Sequence, residues 1–118
     1  FGAVFSIAYS RDGKLFATGD SNCDVTLWRV TDNQPILKCQ GHIGWVRSIV
    51  FSHDSMTLIS GSDDNTIKLW DVHKGNCLKS LQGHMNNIYS LAISPDNKIL
   101  ASGSADKTIK LWDINSGE

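Results

Sequence analysis

LISGSDDNTIKLWDV (58–72) returns, with few changes, as LASGSADKTIKLWDI (100–114). In each copy two short runs rich in Ile, Leu and Thr flank a polar turn, SDDN or SADK. Runs this short, bounded by turn residues, read as two β-strands and the connection between them. A looser copy, LFATGDSNCDVTLWRV (15–30), stands nearer the N-terminus. Trp28, Trp70 and Trp112 lie 42 residues apart, and Gly41-His42 and Gly83-His84 share that interval. Self-similarity at such a period marks stacked supersecondary units, each unable to bury its apolar face alone.

The rest of each unit falls into the same register. VFSIAYS (4–10), VRSIVFS (46–52) and IYSLAIS (88–94) form a first strand. Asp12-Gly13, Asp54-Ser55 and Asp96-Asn97 follow, pairs that tolerate the positive φ of a tight hairpin. LFATGD (15–20), LISGSD (58–63) and LASGSA (100–105) form the second strand, and VTLWRV (25–30), TIKLWDV (66–72) and TIKLWDI (108–114) the third. PILKCQ (35–40) and CLKSLQ (77–82) form a fourth. No segment has helical periodicity. The expected order is abc, d-abc, d-abc, eleven strands in units 1–40, 41–82 and 83–118.

Composition narrows the function classes. With 118 residues, 41% hydrophobic and 19% charged, the chain has enough material for an ordinary domain core. The net charge is -1 and the Lys and Arg residues are scattered singly. Phosphate-driven binding needs clustered cations, so neither nucleic acid nor an anionic membrane is an expected partner. No apolar run is long enough to span a bilayer, and FGAVFSIAYS lacks the basic start and cleavage site of a signal peptide. Cys23, Cys39 and Cys77 are an odd set without C-x-x-C spacing and read as reduced thiols of a cytoplasmic protein. The four histidines make no ligand pattern, so no metal and no cofactor are expected. Gly61 and Gly103 belong to a strand pattern, not a phosphate loop. Asp63-Asp64-Asn65 lacks the Gly and the terminal Glu of a calcium loop.

Gly-His followed by Trp-Asp, at a period of about 40 residues, resembles the WD-repeat signature over the whole chain. The resemblance implies four-stranded antiparallel blades, here an all-β partial β-propeller of about three blades. One chain does not close such a ring, since propellers typically have about 4–8 blades. His42, Ser60, Asp64 and Trp70 recur as His84, Ser102, Asp106 and Trp112. Ser, His and Asp together invite a hydrolase reading. The resemblance instead implies a structural tetrad running from Trp through Ser and His to Asp. A buried indole N–H without an acceptor costs roughly 1–3 kcal/mol, and the Ser hydroxyl supplies that acceptor. The set repeats once per unit and has no G-x-S-x-G elbow, so no catalytic residue is expected. The first unit departs from the pattern: Thr18 replaces the Ser, Asn22 holds the Asp position and Arg29 follows the Trp.

The units diverge most in the lead-in to the first strand: FGAVFS (1–6), IGWVRS (43–48) and MNNIYS (85–90). The resemblance places this segment, with the turn between second and third strands, on the rim that docks peptides and proteins. Trp45 lies outside the Trp period, where the other units have Ala3 and Asn87. It is either packed on a neighbouring blade or an exposed anchor, since Trp, Tyr and Arg dominate binding hot spots. Phe5, Arg47 and Tyr89 share a second rim position, and Ser21, Asp63 and Ala105 a third. The candidate partner-binding residues are Trp45, Arg47, Asp63, Asn87, Tyr89 and Phe5.

The expected function is a non-catalytic interaction scaffold for protein or peptide partners. More narrowly, ATGDSNCDVTLWRV followed by GHIGWVRSIVFS is similar to the leading WD repeats of bacterial, especially cyanobacterial, signalling proteins. In those proteins the repeats follow an NB-ARC-type nucleotide-binding switch; no nucleotide binding carries over to this chain. Two other readings stand beside this one. The chain could self-associate through open blade edges, because unpaired strand edges recruit strands, or it could be a propeller enzyme.

Overall fold

The computed structural model describes residues 3–116, and its regular elements are all strands. Blade one contains β1 (Val4–Tyr9), β2 (Leu15–Asp20), β3 (Val25–Arg29) and β4 (Gln34–Cys39). Blade two contains β5 (Val46–Phe51), β6 (Thr57–Ser62), β7 (Thr66–Asp71) and β8 (Cys77–Gln82). Blade three contains β9 (Ile88–Ile93), β10 (Ile99–Ser104) and β11 (Ile109–Asp113). All pairings are antiparallel between chain neighbours, as in blades of an open, partial propeller.

Two details sharpen the sequence reading. Each fourth strand pairs with the third strand before it, so the expected d-abc order resolves as abcd, abcd, abc. Register also moves one alignment. Ile7 faces Thr18 and Ile49 faces Ser60, so LFATGD (15–20) is in phase with residues 57–62, not with LISGSD (58–63). The shared Leu misleads, because a one-residue slip sends every side chain to the opposite face.

The hairpin turns follow their residues. Gly13, Ser55 and Asn97 all have positive φ, at 74°, 61° and 63°. In each turn an Asp folds back on the chain: Ser10, Ser52 and Ser94 donate their hydroxyls to Asp12, Asp54 and Asp96 at 2.6, 2.5 and 2.6 Å. The backbone N–H groups of Lys14, Met56 and Lys98 reach the same carboxylates. This is an Asx turn repeated three times.

The core lies between blades. Ala17, Val25 and Leu27 of blade one meet Val46, Ile49, Phe51, Leu58, Trp70 and Val72 of blade two. Ile59, Ile67, Leu69 and Leu81 of blade two meet Ile88, Leu91, Leu100 and Trp112 of blade three. Glycine in the second strand sets the spacing of both joints. A Cβ on Gly19 would stand 2.5 Å from Val46 Cγ1, and one on Gly61 2.7 Å from Ile88 Cγ2. The outer flanks carry the same side-chain pattern uncovered. Ile109 and Leu111 hold the positions of Ile67 and Leu69 but are 80% and 68% exposed. Val4, Ile7 and Tyr9, in phase with Val46, Ile49 and Phe51, are exposed as well.

Candidate functional site

Two sets of polar and aromatic side chains stand out, one buried and one on the rim. In the buried set, His42 Nδ1 is 2.8 Å from Asp64 Oδ2 and its Nε2 is 2.7 Å from Ser60 Oγ. Trp70 Nε1 donates to Ser60 Oγ at 2.8 Å. An ionised carboxylate only accepts, so Nδ1 carries a proton; in the neutral ring Nε2 then accepts the Ser60 hydroxyl. Blade three repeats the arrangement. His84 stands 2.8 Å from Asp106 and 2.7 Å from Ser102, and Trp112 donates to Ser102 at 2.9 Å. Ser60 is 0% exposed, and its oxygen is already engaged by the indole and the imidazole, so the hydroxyl has no open face toward a substrate.

The carboxylates also bind the backbone around them. Asp64 accepts from the Ile43 and Thr66 N–H groups, joining the lead-in to blade two with the turn before β7. Burial pushes the Asp64 carboxyl up, but hydrogen bonds from His42 and Thr66 prevail and hold it well below the usual range. The Thr66 hydroxyl bond is 2.5 Å long. The Thr108 hydroxyl, with the Met85 N–H and His84, lowers Asp106 in the same way. Among the described residues blade one shows the inner part: Trp28 Nε1 donates to Thr18 Oγ1 at 3.0 Å. Its turn after β3 is rebuilt around Arg29, which takes Asp32 through Nε and Nη2 at 3.0 and 2.9 Å. In blades two and three, Asp71 and Asp113 accept from the turn backbone at the matching place.

The rim set comes from three blades. Phe5 and Trp45 stack with ring centroids 4.9 Å apart. The Arg47 guanidinium carbon lies 5.4 Å from the Phe5 centroid, 5.2 Å from that of Trp45 and 5.5 Å from that of Tyr89. Arg47 Nε donates to Asp63 Oδ1 at 2.5 Å, and the Asp63 hydrogen bond holds the guanidinium pKa above its usual value. Trp45 is both packed and open: it lies on Phe5 of the neighbouring blade while 44% of it remains exposed. The structure thus gathers Phe5, Trp45, Arg47, Asp63 and Tyr89. Asn87 stands in phase with Trp45 on blade three, and its carbonyl accepts the Ala105 N–H at 2.9 Å.

Bulges explain how distant residues converge. Val4 pairs with Asp20 and Ser6 with Gly19, leaving Phe5 as the extra residue of β1. Arg47 is the extra residue of β5 and Tyr89 of β9. A bulge re-aims one side chain and bends the strand end, and here it turns the same position of each blade toward one cluster. Sequence comparison found the position but not the bulge. It also passed over Ile43 and Met85, 88% and 82% exposed, directly after the paired His residues. Their signal is an apolar residue outside any strand run. Phe1 and Gly2, the start of the first lead-in, lie outside the described residues.

The family described as "WD domain, G-beta repeat" matches residues 1–29, 33–71 and 75–113. The chain belongs to the WD-repeat family. WD repeats generally mediate protein–protein contacts. Two curated WD-repeat relatives come from Nostoc sp. (strain PCC 7120). The chain is similar to the "Uncharacterized WD repeat-containing protein alr3466", 50% identical over 45 residues, covering 38% of this chain and 3% of that protein. It is similar also to the "Uncharacterized WD repeat-containing protein alr2800", 50% identical over 46 residues, covering 39% of this chain and 4% of that protein. These matches therefore span a small part of much longer proteins. Among the described residues no helix is long and apolar enough to cross a membrane, and no group of His, Cys, Asp or Glu could hold a metal ion. Cys23, Cys39 and Cys77 are free, and burial pushes the Cys39 thiol up to about 11.

Proposed function

We propose that this WD-repeat segment is a non-catalytic recognition module whose rim binds protein or peptide partners. The observation that carries the reading is the half-open cluster of Phe5, Trp45, Arg47 and Tyr89, assembled from three blades. Rings and a guanidinium that are part packed and part exposed supply large contact area at low ordering cost, the character of binding hot spots. The tetrads of His42, Ser60, Asp64 and Trp70, and of His84, Ser102, Asp106 and Trp112, have a structural role that holds this surface in place. In this reading the chain is a segment of a larger cytoplasmic signalling protein in which an NB-ARC-type switch precedes the repeats, as its resemblance to cyanobacterial signalling proteins implies. The relatives support only the greater length, since each match covers 3% or 4% of a longer WD-repeat protein.

A displayed library of short random peptides, selected on the chain, tests the reading. Enriched peptides should lose about 2 kcal/mol, roughly 30-fold in affinity, on Trp45→Ala, and little on Lys74→Ala in the loop before β8. Peptides that bind both variants like the unaltered chain would place recognition elsewhere and overturn the proposal.

A second reading has its own observation in the two uncovered flanks. Ile109 and Leu111 on one side, and Val4, Ile7 and Tyr9 on the other, are the two halves of the joint that the chain forms internally twice. Copies of the chain would join head to tail through these flanks, a heterologous contact that closes as a ring or continues as an open array.

A further inference from the structure

Resting on the reading of the rim as a peptide-binding surface, the geometry points to a carboxylate of the bound peptide as the group that Arg47 takes. Arg47 is the bulge residue of β5, and its side chain is 30% exposed. A guanidinium offers five N–H donors in one plane, with a flat face on either side. Its Cζ lies over the Phe5, Trp45 and Tyr89 rings, 5.4, 5.2 and 5.5 Å from their centroids. Its hydrogen bond among the described residues is the one from Nε to Asp63. The two Nη groups make no hydrogen bond among the described residues, and one N–H from each forms the end-on fork of the guanidinium. Aromatic faces attract the cation but do not replace an in-plane acceptor.

That arrangement selects among partners. A segment that lies on both the Trp45 and Tyr89 rings also lies against the guanidinium, whose Cζ is 5.2 and 5.5 Å from their centroids. If it brings no acceptor, charged donors are buried unmet, at a cost that offsets the apolar contact. A planar carboxylate meets two parallel N–H groups in a bidentate fork. A cationic side chain would be repelled by Arg47 among the same rings. Phosphate, near −2 in charge, is best held by several cations, whereas here one guanidinium is already shared with Asp63. An Asp or Glu side chain is the acceptor that fits, its two oxygens matching the Nη fork while Asp63 keeps Nε.

Two peptides test this: acetyl-Ala-Phe-Glu-Phe-Ala-amide and its counterpart with Gln for Glu, titrated against the chain by calorimetry and by the Trp45 indole N–H resonance. The Glu peptide should bind about tenfold or more tightly than the Gln peptide. Arg47→Gln should abolish the preference, and Arg47→Lys, which keeps the charge and loses the fork, should reduce it. Asp63→Asn should strengthen Glu binding, a gain that a merely structural Arg47–Asp63 pair would not produce. Equal affinities for the two peptides, or a preference that survives Arg47→Gln, would overturn the carboxylate assignment while leaving the rim a binding surface. Binding of neither peptide would count against both readings. A phosphoserine peptide that binds more tightly than the Glu peptide would also overturn it.

Discussion

Ser60 has two polar neighbours and no exposed surface, so its removal leaves both unmet. In Ser60→Ala the Trp70 N–H and His42 Nε2 lose their common partner. The expected loss is about 1–3 kcal/mol, read as a lower urea midpoint. Thr18→Ala, in the blade where the Trp–Thr bond stands without a His in the described residues, should cost less. Superimposable unfolding curves for Ser60→Ala and the unaltered chain would rule out a structural tetrad. Asp64 adds a pH dependence whose sign follows from its lowered native pKa. The unfolded carboxyl binds protons more readily, so the contribution of Asp64 is full above its ordinary pKa of about 4 and is lost as pH falls below it. Asp64→Asn should therefore melt earlier at neutral pH and show a shallower fall in Tm on acidification. A parallel acid limb in the two chains would show that Asp64 is not the group responsible.

At the scale of the strand, spacing between blades is set by what the second strand lacks. Gly61→Ala would place a methyl group 2.7 Å from Ile88 Cγ2, and packed joints tolerate such insertion poorly. Gly103 holds the same position in blade three, where a Cβ would meet nothing nearer than Ser90 Cβ at 3.9 Å. Gly61→Ala should destabilise the chain by about 1–3 kcal/mol more than Gly103→Ala by chemical denaturation. Equal costs would mean that strand propensity, not the joint, explains these glycines. Strand identity was legible because short Ile-, Leu- and Thr-rich runs, turn pairs that tolerate positive φ and a 42-residue repeat all agree. The slip of LFATGD against residues 57–62 was not, because sequence likeness rewarded Leu on Leu whereas backbone pairing decides the face.

Across the whole molecule, the matching flanks give the second functional reading its test. Leu111→Glu together with Tyr9→Glu, which sets like charges against each other across every head-to-tail contact, should leave the internal joints intact and abolish concentration-dependent association in light scattering. Association unchanged by both substitutions would assign it to another surface. By itself the sequence determined the all-β repeat, the hairpin turns and the recurrence of His, Ser, Asp and Trp, which the WD-repeat resemblance joins into a tetrad. Those features depend on local pattern, and each recurs at one fixed interval. Tertiary structure alone decided that Phe5, Trp45 and Tyr89 gather around Arg47, which pairs with Asp63. Residues 42 positions apart occupy equivalent places in separate blades, and equivalence does not imply contact. Contact requires the blade joint to bring first strands side by side, and the bulge in each strand to turn its extra residue toward a shared centre.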